Sequence, residues 1–254
     1  MAETRIIVAG AAGRMGQAII AAAPLSGARI AGALERPGHA ALGSVIGGVT
    51  IVDRVADLAP GGGVLVDFTA PAATLANARQ WAGKPMVIGT TGFSAAEDAE
   101  IAALSERGPI VKSGNFSLGV NLLAALVKKA ASALGPDYDI EIVEAHHRAK
   151  VDAPSGTALM LARECAEGRG APLETSLVMH RAGARETGKI GVGVIRGGGL
   201  IGDHDVMFAG DSEVVTLSHR ALDRSLFAKG AVAAARWVAN RPPGLYSMAD
   251  VIGL

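Results

Sequence analysis

Cationic and titratable side chains are concentrated in residues 144–158, EAHHRAKVDAPSGTA. Four of them fall within five positions: His146, His147, Arg148 and Lys150. An imidazole exchanges protons near neutral pH, and a lysine ammonium group stabilises a carboxylate or supplies a proton. Ser155, Gly156 and Thr157 begin a predicted helix, whose free N–H groups suit an anion. The segment favours acid–base chemistry on an acidic substrate over the alternative, a solvated basic turn followed by an ordinary helix cap.

The two adjacent histidines lack the spacing of a metal site. Successive residues of a strand point to opposite faces, so His146 and His147 are predicted to face different surroundings. The i, i+4 spacing of two zinc ligands on a helix is also missing. The only cysteine, Cys165, excludes a disulfide within the chain and a zinc cluster of cysteines. We therefore expect no metal, and a metal-dependent hydrolase built on the paired histidines is the alternative.

A glycine-rich turn follows the first apolar run, in the sequence VAGAAGRMG. The spacing Gly10-x-x-Gly13-x-x-Gly16 lies between a predicted strand and a predicted helix, where backbone N–H groups and the helix dipole suit a pyrophosphate. Glu35 ends the second predicted strand, where an acidic residue meets an adenosine ribose, and Arg36 beside it can face a 2′-phosphate. The pattern indicates a dinucleotide site, and a turn with only packing duties is the alternative.

Two further polar turns follow later strands of the same predicted sheet, in the sequences VIGTTGF and KSGNFSLGVN. Ligands bind at the carboxyl ends of parallel strands, so these turns are predicted to line the nicotinamide. The residues concerned are Gly89, Thr90, Thr91, Asn115, Phe116 and Ser117. Turn and helix-cap chemistry explains threonine and serine at these positions equally well.

Strand-like and helix-like segments alternate in the first half of the chain. Apolar runs predict strands at residues 4–9, 29–34, 63–68, 85–88 and 110–112. Helices are predicted at 17–23, from 71 to about 81, and after Ser94, where Glu97 completes a capping box. This alternation is typical of an α/β, Rossmann-like domain with a mostly parallel, doubly wound sheet.

The middle of the chain has a different pattern. An apolar residue at every fourth position predicts one long helix, through Leu118, Leu122, Leu126, Ala130 and Leu134. Strands are then predicted at 139–145, 190–196, 205–208 and 213–218, the last three without helices between them. Consecutive strands indicate an α+β domain with a mixed sheet. With a last helix at 226–239, the expected domains are 1–117 with 226–254, and 118–225.

Composition excludes several classes of protein. Lysine plus arginine and aspartate plus glutamate each number 24, so the formal net charge is zero and no basic excess points to nucleic acid or a membrane surface. No run of eighteen apolar residues is present, and the N-terminus does not have the pattern of a secretory signal. We expect a soluble, cytoplasmic protein.

Five segments together resemble the 4-hydroxy-tetrahydrodipicolinate reductase (dihydrodipicolinate reductase) family: GAAGRMG, DFTAP, GTTGF, GNFSLGVN and EAHHRAKVDAPSGTA. The resemblance covers essentially the whole chain in the right order. It implies that NADH or NADPH, without a metal, reduces the cyclic dicarboxylate 4-hydroxy-tetrahydrodipicolinate to tetrahydrodipicolinate in lysine and diaminopimelate biosynthesis. It also implies a C-terminal domain that binds the substrate and forms a homotetramer through its sheet.

The resemblance carries over residue by residue. His146 is implied as proton donor and acceptor, and Lys150 as proton donor. Substrate contacts are implied for His147, Ser155, Gly156 and Thr157. Dinucleotide contacts are implied for Gly10, Ala11, Ala12, Gly13, Arg14, Met15, Glu35, Arg36, Gly89, Thr90, Thr91, Gly114, Asn115, Phe116 and Ser117. The chain has Ala149 where many members have a third histidine, and Ser113 where alanine or glycine is frequent.

Two other functions are compatible with the same motifs. One is another small Rossmann dehydrogenase that acts on a dicarboxylate or an amino acid. The other is a nucleotide sensor without enzymatic activity, for which the histidine–lysine segment would have little use.

Overall fold

The computed structural model describes residues 3–58 and 61–254. The chain forms two compact units, which are described separately. The first unit extends to Leu118 and resumes at Ser225–Leu254, and the second is Gly119–Arg224. In the described part of the chain, no helix is both long enough and apolar enough to span a bilayer.

The first unit alternates strands and helices along most of its length. Its strands are β1 (Thr4–Ala9), β2 (Ala28–Leu34), β3 (Val45–Ile46), β4 (Val49–Val52), β5 (Val64–Asp67), β6 (Met86–Ile88), β7 (Pro109–Lys112) and β13 (Gly244–Tyr246). Its helices are α1 (Arg14–Leu25), α2 (Pro71–Gln80), α3 (Ala95–Ser105), α7 (Ser225–Val238) and α8 (Met248–Ile252), with a 3₁₀ turn at Val55–Asp57. The predicted capping box of α3, between Ser94 and Glu97, is confirmed.

These strands form one sheet in the order β13-β7-β6-β5-β1-β2-β4-β3. All pairs are parallel except the short β3–β4 hairpin. Successive residues of β1 face opposite sides, as the pleat requires: Ile6 and Val8 pack with α1 and α7, whereas Ile7 packs with α2 and α3. The sheet is therefore buried on both faces, and the predicted Rossmann-like α/β fold is confirmed.

The second unit has a different plan. Its helices are α4 (Leu118–Leu134), α5 (Gly156–Gly168) and α6 (Leu173–Ser176). Its strands are β8 (Asp139–His146), β9 (Leu177–Val178), β10 (Ile190–Arg196), β11 (Asp203–Ala209) and β12 (Val214–Arg220). The sheet order is β12-β11-β8-β10-β9, in which β8 is parallel to β10 and antiparallel to β11. The predicted mixed sheet of an α+β unit is confirmed.

The core of the second unit lies between one face of this sheet and its helices. Ile140, Ile142 and Phe208 of the strands pack with Val127 of α4 and Leu161 of α5. The predicted helix at residues 118–134 is present, but its buried face is formed by Val120, Leu123, Ala124, Val127 and Ala131. Leu122 and Leu126 are each 46% exposed. The four-residue spacing thus identifies the helix without identifying its buried side, because a helix repeats every 3.6 residues.

Candidate active site

The glycine turn after β1 requires residues without a Cβ. Gly10 has a φ of +67°, a conformation that side chains disfavour. Gly13 is the N-cap of α1 and donates its N–H to the Gly10 carbonyl oxygen at 2.9 Å. A Cβ at Gly16 would overlap that same oxygen. The turn is therefore closed tightly onto the start of α1, where the helix presents N–H groups and a positive dipole end to an anion.

Glu35 links the glycine turn to the end of β2. Its Oε2 accepts the N–H of Ala12 at 3.2 Å, and its Oε1 accepts the N–H of Arg36 at 3.0 Å. Ala11 donates its N–H to the carbonyl oxygen of Leu34 at 3.0 Å, in the same region. Ala11 is buried, Met15 is partly buried and Arg14 is exposed at the first position of α1. Glu35 and the exposed Arg36 thus lie beside the turn, where the sequence places the adenosine ribose.

A buried carboxylate organises the turns after β5 and β6. Asp67 is fully buried at the end of β5, and its Oδ1 accepts hydrogen bonds from the hydroxyls of Thr69 at 2.6 Å and Thr74 at 2.9 Å. The Thr74 hydroxyl also lies 2.7 Å from the hydroxyl of the buried Thr90. Asn77 donates to Oδ2 of Asp67 at 2.8 Å. This hydrogen-bond network holds the side chain of Thr90 in place, while the neighbouring Thr91 is exposed.

The turn after β7 is held by local hydrogen bonds and one aromatic contact. Ser117 donates its N–H to Oδ1 of Asn115 at 2.8 Å, and Ser113 donates its hydroxyl to the Asn115 carbonyl at 2.8 Å. Phe116 is buried and meets Phe68 edge-on, with ring centroids 5.0 Å apart. Gly114 is exposed. A Cβ at Gly89 would overlap the Phe68 ring, so the turn after β6 also requires glycine.

All four turns lie at the carboxyl edge of one parallel sheet. The chain passes from β1 to β2 on one side and later to β5 on the other side of β1, so the strand order reverses at β1. A dinucleotide binds at such a switch point. The structure therefore brings together, within the first unit, the residues that the sequence assigned to the dinucleotide, and their tight glycine turn fits a pyrophosphate.

In the second unit, His146 is the last residue of β8 and contacts a buried glutamate. Its Nδ1 lies 2.6 Å from Oε2 of Glu144, two residues earlier on the same face of the strand. Arg196 of β10 donates Nη1 to Oε2 of Glu144 at 2.7 Å and Nη2 to Oε1 at 2.8 Å. The N–H of Ser155 donates to Oε1 at 2.9 Å. A carboxylate only accepts, so Nδ1 of His146 carries the hydrogen in this contact.

Glu144 is ionised despite its burial. Burial on its own raises the pKa of this carboxyl group, but the hydrogen bonds from Arg196, His146 and Ser155 outweigh it, and the pKa falls from 4.5 to about 2. The result is a fixed negative charge beside the imidazole.

His147 and Lys150 lie beyond the end of β8. Nη2 of Arg224 donates to Nε2 of His147 at 3.1 Å, which leaves Nδ1 to carry the hydrogen of the neutral ring. Lys150 is partly buried, and its Nζ lies 2.8 Å from Oδ2 of Asp152. The ammonium group of Lys150 lowers the pKa of Asp152 through a hydrogen bond. His147 and Lys150 are therefore both present at the turn between β8 and α5.

The start of α5 adjoins the same imidazole. Ser155 is its N-cap and accepts the N–H of Ala158 at 3.1 Å, so Gly156 and Thr157 occupy the first turn. Nε2 of His204 lies 3.1 Å from the Ser155 hydroxyl, and the His204 ring meets His146 edge-on at 5.2 Å. Burial, followed by the charge of His146, lowers the pKa of His204 from 6.5 to about 4. The second unit thus brings His146 and Ser155 together around Glu144, with His147, Lys150, Gly156 and Thr157 on the adjoining turn and helix start.

Sequence reasoning assigned no role to Glu144, Arg196, His204 and Arg224 in the second unit, or to Asp67 in the first unit. Glu144 had a usable signal, because its i, i+2 spacing from His146 in a strand places both on one face. Arg196, His204 and Arg224 had none, because each reaches the site from a different part of the chain, whereas Asp67 is the first residue of the DFTAP segment. Among the described residues, no group of three or more histidine, cysteine, aspartate or glutamate side chains is arranged to hold a metal ion.

A doubly wound parallel sheet with a tight glycine turn at its switch point is typical of oxidoreductases that use a nicotinamide coenzyme. Residues 4–116 match the family model described as dihydrodipicolinate reductase, N-terminus, and residues 119–252 match that of the C-terminus. The chain therefore belongs to the dihydrodipicolinate reductase family, and the resemblance stated from the sequence is confirmed.

Individual relatives agree with this assignment. A protein of Afipia carboxidovorans named 4-hydroxy-tetrahydrodipicolinate reductase is 50% identical to this chain, over 100% of this chain and 98% of that protein. A protein of the same name from Brucella abortus is 51% identical, over 98% of both chains. The chain is also similar to the structure of dipicolinate-bound dihydrodipicolinate reductase from Paenisporosarcina sp. TG-14, with a TM-score of 0.79, 25% identity, and coverage of 97% of this chain and 98% of that one.

Proposed function

We propose that this protein reduces 4-hydroxy-tetrahydrodipicolinate to tetrahydrodipicolinate with NADH or NADPH, as a step of lysine and diaminopimelate biosynthesis in the cytoplasm. The observation that carries the proposal is the contact of His146 with the ionised Glu144, next to the N-terminus of α5. This arrangement supplies a proton-exchanging group and an anion-binding group side by side, as the reduction of a cyclic dicarboxylate requires.

The substrate carboxylates are assigned to the turn between β8 and α5. The N–H groups at the start of α5, from Gly156 and Thr157, suit one carboxylate, with Ser155 as the capping residue. His147 and Lys150 provide further donors on the same turn. Lys150 is paired with Asp152 at 2.8 Å, so this ammonium group exchanges one carboxylate partner for another when the substrate binds.

The dinucleotide is assigned to the carboxyl edge of the first sheet. The tight turn from Gly10 to Gly16 and the start of α1 suit the pyrophosphate, and the turns after β6 and β7 suit the nicotinamide. Glu35 favours the ribose hydroxyls of NADH, whereas Arg36 can pair with the 2′-phosphate of NADPH. We expect both coenzymes to bind and no metal to be required.

The reaction needs one hydride and one proton. Loss of water from the hydroxylated ring gives a conjugated imine. NADH or NADPH, held by the turns after β6 and β7, would supply a hydride to ring C4 of this imine. The electron pair displaced onto the ring forms an enamine, and an enamine carbon takes up a proton to give tetrahydrodipicolinate. We assign this single proton to His146, which Lys150 as a proton donor can reprotonate, and the ammonium group of Lys150 also offsets negative charge on the ring.

The second sheet is the proposed surface of a homotetramer. The face opposite the helices carries Val143, Ile195 and Met207, which alternate with the buried core residues of their strands. Ile195 is 50% exposed. Apolar side chains left exposed or partly exposed together on one face of a sheet are typical of a protein–protein contact, here proposed with further copies of the chain.

Two substitutions test the catalytic assignments. His146→Gln and Lys150→Ala should each lower kcat by about a hundredfold or more, as expected when acid–base catalysis is lost. The assay follows oxidation of each coenzyme with substrate generated freshly from pyruvate and aspartate semialdehyde. Lys128→Ala is the control, because Lys128 is an exposed partner of Glu167 on the helices. Near wild-type rates in both catalytic variants would overturn the assignments, and a wild-type protein that does not oxidise either coenzyme would overturn the function.

A further inference from the structure

A carboxylate without an assigned role holds the proposed proton-exchanging histidine. Glu144 is fully buried, and each of its oxygens accepts two hydrogen bonds. Oε1 accepts from Ser155 and Arg196, and Oε2 accepts from His146 and Arg196. We infer that Glu144 is a positioning residue, which keeps the hydrogen of His146 on Nδ1 and leaves Nε2 as the atom that exchanges a proton with the substrate. This inference rests on the proposed function of His146.

Arg196 fixes the orientation of the carboxylate. It lies opposite His146 in the parallel pairing of β10 with β8, and both of its terminal nitrogens donate to Glu144. The same two nitrogens donate to the carbonyl oxygens of Ile195 at 2.8 Å and Asp152 at 2.7 Å. A guanidinium anchored in this way holds the plane of its carboxylate partner, because the two-bond contact permits little rotation. Oε2 of Glu144 is thereby directed at Nδ1 of His146.

The other side of the imidazole is kept open. A Cβ at Gly202 would lie 3.0 Å from Nε2 of His146, closer than ordinary packing allows, and glycine leaves that space free. The ring of His204 packs edge-on against His146 and limits its rotation. Nδ1 of His146 is thus hydrogen-bonded to Glu144, and Gly202 does not obstruct Nε2. An imidazole that exchanges a proton through Nε2 needs this arrangement.

Glu144 also connects the histidine to the proposed carboxylate site. The N–H of Ser155, which caps α5, donates to the same carboxylate that holds His146. One buried charge therefore sets the position of the imidazole relative to the first turn of α5. Its removal should disturb proton transfer and, to a smaller extent, the binding of an acidic ring.

Replacement by glutamine should reverse the tautomer of His146. Both donors at Oε1, the Ser155 N–H and Nη2 of Arg196, can only donate, whereas Oε2 faces Nη1 of Arg196 and an imidazole that can change its tautomer, so the glutamine oxygen is expected to take the position of Oε1. Its NH₂ group would then face Nδ1 of His146, which must accept, and the hydrogen of the neutral ring would move to Nε2. Nε2 would no longer be the free atom.

The direct test is the tautomer of His146 in the whole protein. Nitrogen NMR of the ¹⁵N-histidine-labelled protein at about pH 9, above the ordinary range of imidazole titration, distinguishes a protonated from an unprotonated ring nitrogen. Comparison with His146→Gln assigns the signal. We expect Nδ1–H in the wild type and Nε2–H in Glu144→Gln. A wild-type ring protonated at Nε2 would overturn the inference without the use of a Glu144 variant.

Kinetics provide the second arm. Glu144→Gln should lower kcat by about a hundredfold or more, as in other sites where the tautomer of a catalytic histidine is wrong. Glu144→Asp keeps an acceptor and should retain Nδ1–H, with a loss of less than about tenfold in kcat. Glu164→Gln is the matched control, because this glutamate of α5 pairs with Lys128 away from His146, and its kcat should stay within about twofold.

The outcomes separate the inference from the proposed function. An active wild type whose kcat and tautomer are both unchanged in Glu144→Gln would overturn the inference and leave the function intact. A wild type that does not reduce the cyclic substrate would overturn the function. If Glu144→Gln does not fold, Glu144→Asp and the wild-type tautomer decide the question. Dipicolinate binding by each variant, measured by calorimetry, checks that the substrate site is formed.

Discussion

The buried His204 should make the stability of the second unit sensitive to pH. Its pKa is lowered from 6.5 to about 4, mainly by burial and then by the charge of His146. The geometry agrees, because its Nε2 contacts Ser155 whereas its Nδ1 has no hydrogen-bond partner among the described residues. A protonated ring would bury a positive charge with one N–H unsatisfied.

The sign and size of the effect follow from proton linkage. Between pH 6.5 and about 4 the imidazole is protonated in the unfolded chain but neutral in the folded chain. The unfolded state therefore binds more protons, and the free energy of unfolding falls as the pH falls. A pKa difference of this size corresponds to about 3 kcal/mol, which is present above pH 6.5 and has been lost by about pH 4.

His204→Gln removes this contribution, because glutamine keeps a polar group near Ser155 and does not titrate. The free energy of unfolding is measured in urea at a series of pH values and one protein concentration, since assembly would otherwise change it. Amide hydrogen exchange of β8 and β11 reports the local stability of the two strands around His204. From neutral pH to about pH 4, the wild type should lose about 3 kcal/mol more than the variant. Equal losses in the two proteins would refute the reasoning.

Four further substitutions test the first unit. Gly16→Ala should weaken NADH binding at least about tenfold in calorimetry, because the new Cβ would overlap the Gly10 carbonyl oxygen. Gly13→Ala should weaken NADH binding less, because its Cβ would lie 3.1 Å from that oxygen. Equal losses of affinity in the two variants would contradict this explanation. Arg36→Ala should raise the Kd of NADPH about tenfold and change the Kd of NADH little, since only NADPH carries a 2′-phosphate. A parallel change for both coenzymes would exclude a pairing of Arg36 with that phosphate. Asp67→Asn should lower the free energy of unfolding by about 1–3 kcal/mol in urea denaturation, because the asparagine NH₂ group would face the donors of Thr74 or Asn77. An unchanged urea midpoint would argue against a stabilising role of this hydrogen-bond network.

The fold was predictable where the hydrophobic pattern has a clear period. The apolar runs of β1, β2 and β5 identify strands buried on both faces, and Ser94 with Glu97 identifies the start of α3. The two-residue β3 and the short β4 lack a period long enough to read and were not predicted. The exposed Leu122 and Leu126 show the limit of a spacing argument, because residues four apart drift around the helix.

The candidate site was predictable only where its residues are close in sequence. His146, Lys150 and Ser155 lie in one segment, and their types alone indicate acid–base and anion chemistry. Arg196 and His204 join them through the pairing of β8 with β10 and β11, which places Arg196 opposite His146 and His204 opposite Glu144. Strand register depends on long-range packing, and a single sequence does not state it.

The most direct test of the central claim follows the hydride. Wild-type protein is incubated with freshly generated 4-hydroxy-tetrahydrodipicolinate and NADH or NADPH carrying deuterium at the transferable position, and the product ring is analysed by NMR and mass spectrometry. Stoichiometric coenzyme oxidation with deuterium at ring C4 of tetrahydrodipicolinate is the predicted result. Coenzyme that binds but is not oxidised, or deuterium at another ring position, would contradict the account.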